Sequence, residues 1–216
     1  MRALVIGATG STGGFLVEKL LADKDYTFVT IFVRKSTGKQ HPKLAEQIID
    51  FSVIENYKHL IIGDVFFSCL GITLKAAGSK ENQKKIDLGI PTLFARLSKE
   101  NGVSSFVLLS AYGASSKSKV FYSQIKGKLE DTIESLNFHQ YIIFKPGLLL
   151  RQDSDRFGEK IIVYFLKIFN SVGILKKFKP LPTDELAEKL AIAPKVIASG
   201  IHLIELEKIW ELGQIS

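Results

Sequence analysis

The sequence predicts a doubly wound α/β fold, a mostly parallel sheet with helices on both faces, extended by a small C-terminal lobe. Two observations carry this. Short apolar runs alternate with stretches of helical periodicity along most of the chain. Alternation of this kind argues for a parallel sheet covered on both faces. The first run, Ala3–Ile6, leads directly into Gly7-Ala-Thr-Gly10-Ser-Thr-Gly13, and a helical pattern follows to Ala22.

Strands are predicted at Ala3–Ile6, Thr27–Val33, Ile48–Phe51, Val65–Cys69, Ser105–Ser110 and Tyr141–Lys145. Helices are predicted at Thr12–Ala22, Gly78–Lys85, Pro91–Asn101, Val120–Leu136, Arg156–Phe169 and Thr183–Ser199. The crossover from Ser36 to Gln47 is short, so its helix is reduced or absent. Pro91 suits the first turn of a helix, where its missing N–H costs nothing. Asn101-Gly102 is a stop signal before the next strand. Pro182-Thr183-Asp184-Glu185 reads as a helix start, with Thr183 as the cap and two acids in the first turn. No linker or repeat divides the 216 residues, a length that suits one domain with a real core. Residues 151–216 are expected to add the small lobe, closing over the reactive end of a bound ligand.

At 46% hydrophobic and 24% charged residues the composition is that of a folded globular protein, not a disordered one. The net charge of +7 attracts anions. No helix-turn-helix, zinc or RNA-binding signature accompanies it, so the expected partner is a phosphorylated cofactor and not nucleic acid. The four histidines are scattered and no metal site is expected. Cys69 is the only cysteine, which excludes an internal disulfide and fits a reducing cytosol; a cytoplasmic protein is expected. Ala3–Ile6 is too short for a secretory core. Ile161–Leu175, broken by Lys167 and Asn170, is shorter than the roughly 20 residues of a membrane-spanning helix. Phe157–Phe169 is apolar around most of a helix, with Lys176, Lys177 and Lys179 close behind. Such a helix packs on the sheet domain, or offers a face to a hydrophobic substrate, a second copy, a protein partner or a membrane surface. Trp210, near the C-terminus, reads as core packing.

Chemistry concentrates in three places. A strand, a glycine turn and a helix N-terminus build a phosphate site from backbone alone, so Gly7, Thr9, Gly10, Ser11, Thr12 and Gly13 are candidate cofactor residues. Arg34 lies 21 residues after Gly13 (34 − 13), at the end of the second strand and followed by Lys35. A cofactor with a free ribose 2′-hydroxyl is usually met there by Asp or Glu. No acid occurs between Asp25 and Glu46, and a guanidinium suits a 2′-phosphate, so NADP(H) is favoured over NAD(H). In Tyr122-Ser-Gln-Ile-Lys126, a helix puts Tyr122 and Lys126 on one face one turn apart. A phenol of unperturbed pKa about 10 is a poor acid at neutral pH, and a neighbouring ammonium lowers that value. Ser110, at the end of the preceding strand, adds a hydroxyl that reaches the same substrate oxygen. The expected reaction is reduction of a carbonyl.

Gly7-x-x-Gly10-x-x-Gly13, Ser110, Tyr122-x-x-x-Lys126 and Phe144-Lys-Pro146-Gly147 stand in an order that resembles the short-chain dehydrogenase/reductase superfamily, in its extended or atypical branches. Phe67-Ser-Cys-Leu-Gly71-Ile-Thr73, Leu108-Leu-Ser-Ala-Tyr-Gly-Ala114 and Phe144-Lys-Pro-Gly-Leu-Leu-Leu150 are similar, more narrowly, to the Tat-interacting oxidoreductase-like proteins. The resemblance implies a Rossmann fold. It implies that Lys126 also binds the nicotinamide ribose, and that Cys69, Leu70, Gly71 and Thr73 run along the cofactor. It places Pro146, Gly147 and Leu148 beside the nicotinamide, and Asp50 and Phe51 near adenine. Cys69 reads equally as a small buried apolar side chain. Many members use an asparagine in a proton relay where this chain has Asp87, which accepts hydrogen bonds but offers no amide donor. Two functions follow: an NADPH-dependent reductase of a small, hydrophobic carbonyl compound, or an NADPH-binding regulatory or interaction protein with little turnover.

Overall fold

The chain enters its sheet at the centre. In the computed structural model, which describes residues 1–150 and 179–213, β1 (Arg2–Ile6) lies between β2 (Phe28–Val33) and β4 (Val65–Ser68). β3 (Leu44–Ile48) extends one side; β5 (Ser105–Leu109), β6 (Gln140–Lys145) and β9 (Gly200–Glu205) extend the other. The order is β3-β2-β1-β4-β5-β6-β9 and every pair is parallel. A separate two-stranded parallel ribbon joins β7 (Leu149–Leu150) to β8 (Leu181–Pro182). This is a Rossmann-type doubly wound sheet, and the order reverses between β1 and β4. A crevice forms at such a reversal because the crossovers on its two sides leave in opposite directions.

The helices follow from local signals. α1 (Ser11–Ala22) begins at the glycine turn and α5 (Phe121–Glu134) carries Tyr122 and Lys126. α2 (Leu74–Ala77) and α3 (Lys80–Lys84) start on hydroxyl caps: Thr73 Oγ1 accepts from Ala76 N–H at 3.2 Å, and Ser79 Oγ from Asn82 N–H at 3.1 Å. α4 (Ile90–Glu100) continues α3 through one wide π turn over Lys85–Gly89. Pro91 explains the widening. Four residues after Asp87, it lacks the N–H that would close an ordinary turn and its ring presses on that turn.

Strands alternate their side chains between two cores. Phe67, Val107 and Phe144 pack with Leu16 and Leu20 of α1 and with Leu186 and Leu190 of α6 (Thr183–Val196). Phe66, Phe106 and Ile143 pack with Phe94 of α4 and with Leu129 and Ile133 of α5. The rings of Phe66 and Phe106 stack at 5.2 Å.

Three expectations are corrected. The third strand is Leu44–Ile48, not Ile48–Phe51. As an edge strand it is only half-buried, so its apolar signal is weaker than that of Ile48, Ile49 and Phe51. Thr183 is the first helical residue of α6 and not its cap, which is Pro182. A seventh strand, β9, follows α6 and pairs with β6 from Gln140↔Gly200 to Lys145↔Glu205. Of the expected lobe 151–216, the described part 179–213 packs against the sheet domain: α6 lies on α1, β9 extends the sheet, and α7 (Glu207–Glu211) carries Trp210, with Lys179 Nζ 3.7 Å from its ring centroid. The expected helix at Arg156–Phe169, its docking face, and Lys176 and Lys177 lie outside the described residues.

Truncation of a ring in the middle of the aromatic core removes contacts that neighbours cannot replace. Phe106→Ala is expected to cost about 3–5 kcal/mol, read as a lower urea midpoint with an unchanged slope. Ile201→Thr, on the exposed outer strand, is expected to stay within about 0.5 kcal/mol.

Candidate functional site

The glycine turn is built by close backbone approach. Gly7 has φ of +79°, and a Cβ there would stand 2.5 Å from the Cys69 carbonyl. A Cβ on Gly13 would collide with the Gly7 carbonyl oxygen. Both positions therefore require glycine. Gly10 is the N-cap of α1, makes no side-chain cap bond, and no acid lies in the first turn. The first amides of α1 are thus left to an anion, and the helix dipole favours one there.

Three cavities line this crevice. The largest, 780 Å³, is bounded by Gly10, Ser11 and Thr12, by the Cys69–Thr73 loop, and by Ser110, Tyr122 and Lys126. A second, of 210 Å³, runs from Gly7 and Thr9 past Arg34 to the apolar side chains of Phe51, Ile86 and Ile90. Gly10 and residues 69–72 border both, so the two form one groove across the strand reversal. A third, of 460 Å³, lies between Thr9 and the segment Arg34–Thr37 and includes Lys35. A dinucleotide fits this layout: glycines make room for pyrophosphate, an apolar slot suits adenine, and hydroxyl and ammonium groups lie at the other end.

The structure does not bring every expected residue to these cavities. Asp50 is exposed, and its carboxylate accepts from the Ser52 N–H at 2.8 Å and hydroxyl at 2.7 Å, bonds that hold its pKa below the usual carboxylate range. Pro146, Gly147 and Leu148 line none of the three; Leu149 instead reaches the largest. Gly13 lies buried beneath the turn and acts through packing.

Lys126 is buried on α5, and its Nζ donates to the Leu70 carbonyl at 3.4 Å. A Cβ on Gly71 would lie 3.8 Å from that Nζ and 3.9 Å from Asp87 Oδ1, so lysine and aspartate converge on one point of the loop. Asp87 is fully buried in the π turn. Its Oδ1 accepts from Ile72 N–H at 2.9 Å, and Gln83 Nε2 donates to the Ile72 carbonyl at 2.9 Å. Asp87 and Gln83 thus hold the loop by both backbone groups of one residue. Burial lowers the Lys126 pKa and raises that of Asp87, and each charge opposes the shift of the other. Burial pushes the Cys69 thiol up to about 12, against the pull of Lys126.

Ser110 has a partner that motif reading did not anticipate. Its hydroxyl donates to Glu130 Oε1, and Glu130 Oε2 pairs with Lys145 Nζ at 2.9 Å, all three buried. Lys145 Nζ also donates to the Ala114 carbonyl at 3.3 Å, and Tyr141 donates to the Glu130 carbonyl at 3.4 Å. Glu130 lies one turn beyond Lys126 on the same face of α5, and that spacing was the available signal. Lys145 carried none, because a lysine at a strand end reads as solvated.

A parallel Rossmann sheet with a side-chain-free phosphate cradle defines a dinucleotide-binding protein. The sequence profile of the NAD(P)H-binding family matches residues 7–163, and the chain belongs to that family. It is 36% identical over 198 residues to "Protein FMP52, mitochondrial" of Meyerozyma guilliermondii, covering 87% of this chain and 83% of that protein. It is 33% identical over 156 residues to "Protein HTATIP2" of Rattus norvegicus, covering 69% and 64%. These relatives agree with an atypical short-chain dehydrogenase/reductase of the Tat-interacting type. Among solved structures, MoeE5 in complex with UDP-glucose and NAD superposes with TM-score 0.73 at 13% identity, over 97% of this chain and 79% of that one. The oxidoreductase ylbE from Lactococcus lactis gives 0.59 at 20% identity, over 72% and 73%. Identities this low speak to the fold alone.

The expectation of a cytoplasmic protein is corrected by these names: six of the relatives are called mitochondrial. A lone cysteine excludes an internal disulfide whatever the compartment, so it never distinguished one reducing location from another.

Removing one member of a buried ion pair leaves the other charge uncompensated. Lys145→Met is expected to cost about 3–5 kcal/mol in chemical unfolding. Alkylation supplies the pH test for Cys69. Only the thiolate reacts, so a thiol with pKa about 12 is expected to label at least tenfold more slowly at pH 8.5 in the native protein than in urea. Equal rates contradict a raised thiol pKa.

Proposed function

We propose that the protein is an NADPH-dependent oxidoreductase that reduces the carbonyl of a small, hydrophobic substrate, and that it is mitochondrial as its FMP52 relatives are named. One observation carries the catalytic reading: Ser110, Tyr122 and Lys126 border the same cavity as the glycine turn and the Cys69–Thr73 loop. Phosphate-binding and proton-transferring groups thus face one continuous space.

Gly7–Gly13 and the amides opening α1 hold the pyrophosphate; Phe51, Ile86 and Ile90 receive the adenine; Arg34 and Lys35 take the 2′-phosphate. Lys126 has hydrogen-bonding capacity beyond the Leu70 carbonyl, which suits ribose hydroxyls. Bound NADPH supplies a hydride to the carbonyl carbon. Tyr122 gives the carbonyl oxygen its proton, and the Lys126 ammonium one turn away stabilises the phenolate left behind. Tyr122 is 40% exposed, so solvent returns that proton without an asparagine relay. Asp87 keeps the loop in place and favours the charged form of Lys126. Ser110 has one proton, and it points at Glu130. Toward the cavity the serine therefore presents lone pairs, which accept from the hydroxyl of the alcohol product. Leu74, Val120, Phe121 and Leu149 give the cavity an apolar stretch of wall beside Lys80 and Gln83, and that stretch is the basis for a hydrophobic substrate.

Tyr122→Phe is expected to lower kcat on a carbonyl panel by about 10²–10⁴-fold while NADPH affinity stays unchanged. Equal rates in variant and parent reject Tyr122 as the acid. Tight NADPH binding with no turnover by the parent supports the second reading, a cofactor-responsive binding protein.

A further inference from the structure

The turn that leaves β2 has no regular structure of its own. Arg34, Lys35 and Ser36 are exposed, and adjacent cations repel, yet they form one wall of the 460 Å³ cavity opposite Thr9. The group that shapes this turn comes from another strand. Glu46 of β3 stands opposite Ile31 of β2 in the sheet register. Its Oε2 accepts from the Ser36 hydroxyl at 2.5 Å; its Oε1 accepts from the Thr37 N–H at 2.8 Å and the Thr37 hydroxyl at 2.6 Å. Each hydroxyl also closes the chain beyond it. Ser36 Oγ accepts from Gly38 N–H at 3.2 Å, and Thr37 Oγ1 from Lys39 N–H at 3.3 Å. Lys39 Nζ then reaches Glu18 of α1 at 2.7 Å.

We infer that Glu46 is the positioning residue that sets 2′-phosphate selectivity, acting through the Ser36–Thr37 turn to hold Arg34 and Lys35 toward the cavity. The inference rests on the NADPH reading above. An acid near a phosphate site looks adverse, but three donors converge on this one and satisfy its charge. Those same bonds hold its pKa below the ordinary carboxylate range, so it stays charged at neutral pH. Ser36 and Thr37 spend their hydroxyl protons on Glu46 and have none to give a phosphate. Binding then falls to the Arg34 and Lys35 cations and the Thr9 hydroxyl, and a pinned backbone reduces the ordering those long side chains lose on binding. An amide in place of the carboxylate keeps the shape, but its NH₂ faces donors and breaks the pattern.

Calorimetry on the full chain with NADPH, NADH, 2′,5′-ADP and 5′-AMP tests this, using Glu46→Ala, Glu46→Gln and Arg34→Ala. The parent is expected to prefer NADPH to NADH, and Arg34→Ala to abolish that preference. Both Glu46 variants are expected to weaken NADPH and 2′,5′-ADP about tenfold, about 1.4 kcal/mol, with NADH and 5′-AMP changed less than about twofold. A role confined to folding moves both cofactors alike. If the Glu46 variants leave NADPH unchanged, or weaken both cofactors equally, while Arg34→Ala still abolishes the preference, the inference fails and the NADPH reading stands. If the parent shows no preference and Arg34→Ala changes nothing, both fail. Should Glu46→Ala not fold, Glu46→Gln decides.

Discussion

The site depends on one steric constraint: three pieces of backbone must share the space between β1 and β4. Gly7 meets the Cys69 carbonyl, Gly13 meets the Gly7 carbonyl, and both contacts are closer than any Cβ permits. The first brings the Cys69–Thr73 loop against the glycine turn. The second seats α1 on the strand end, so that its free amides face the crevice. With a side chain at either place the loop and the helix separate and the groove has no floor. Everything else that faces a dinucleotide is arranged around this contact.

Beyond it, the site is held by buried charge, not by side chains reaching in from the surface. Asp87 and Gln83 grip Ile72, Lys126 reaches Leu70, and Glu130 ties Ser110 to Lys145. Buried polar groups of this kind cost free energy unless every one is partnered. Their value here is positional. A carboxylate behind a serine decides which way its proton points, and a carboxylate behind a turn decides where two cations stand.

Much of this was legible in the primary structure, for reasons of short range. Strand β1, the glycine turn and α1 are consecutive, so one stretch of thirteen residues contains the whole phosphate cradle. Tyr122 and Lys126 are one helical turn apart, and periodicity alone puts them together. Less was legible where partners are distant. β3 is an edge strand of half-buried residues and was displaced toward Ile48–Phe51. β9 follows α6 and finds β6 from sixty residues away (Gln140↔Gly200), so no local signal marks it as a strand of the sheet. Glu46 is fifteen residues from Ile31 along the chain and its neighbour only across the sheet, so sequence distance does not reveal its place beside the β2 turn.

The sequence by itself determined the alternation of strands and helices, the phosphate turn and the facing tyrosine and lysine, since each rests on the steric and periodic preferences of neighbouring residues. Only the tertiary structure decided the outer strands, the clamp on Ile72, the proton direction of Ser110 and the placement of Glu46 behind Ser36 and Thr37. Those rest on parallel pairing and hydrogen bonds between segments nine to sixty residues apart, and local preference carries no information about which distant partner a strand or a carboxylate will meet.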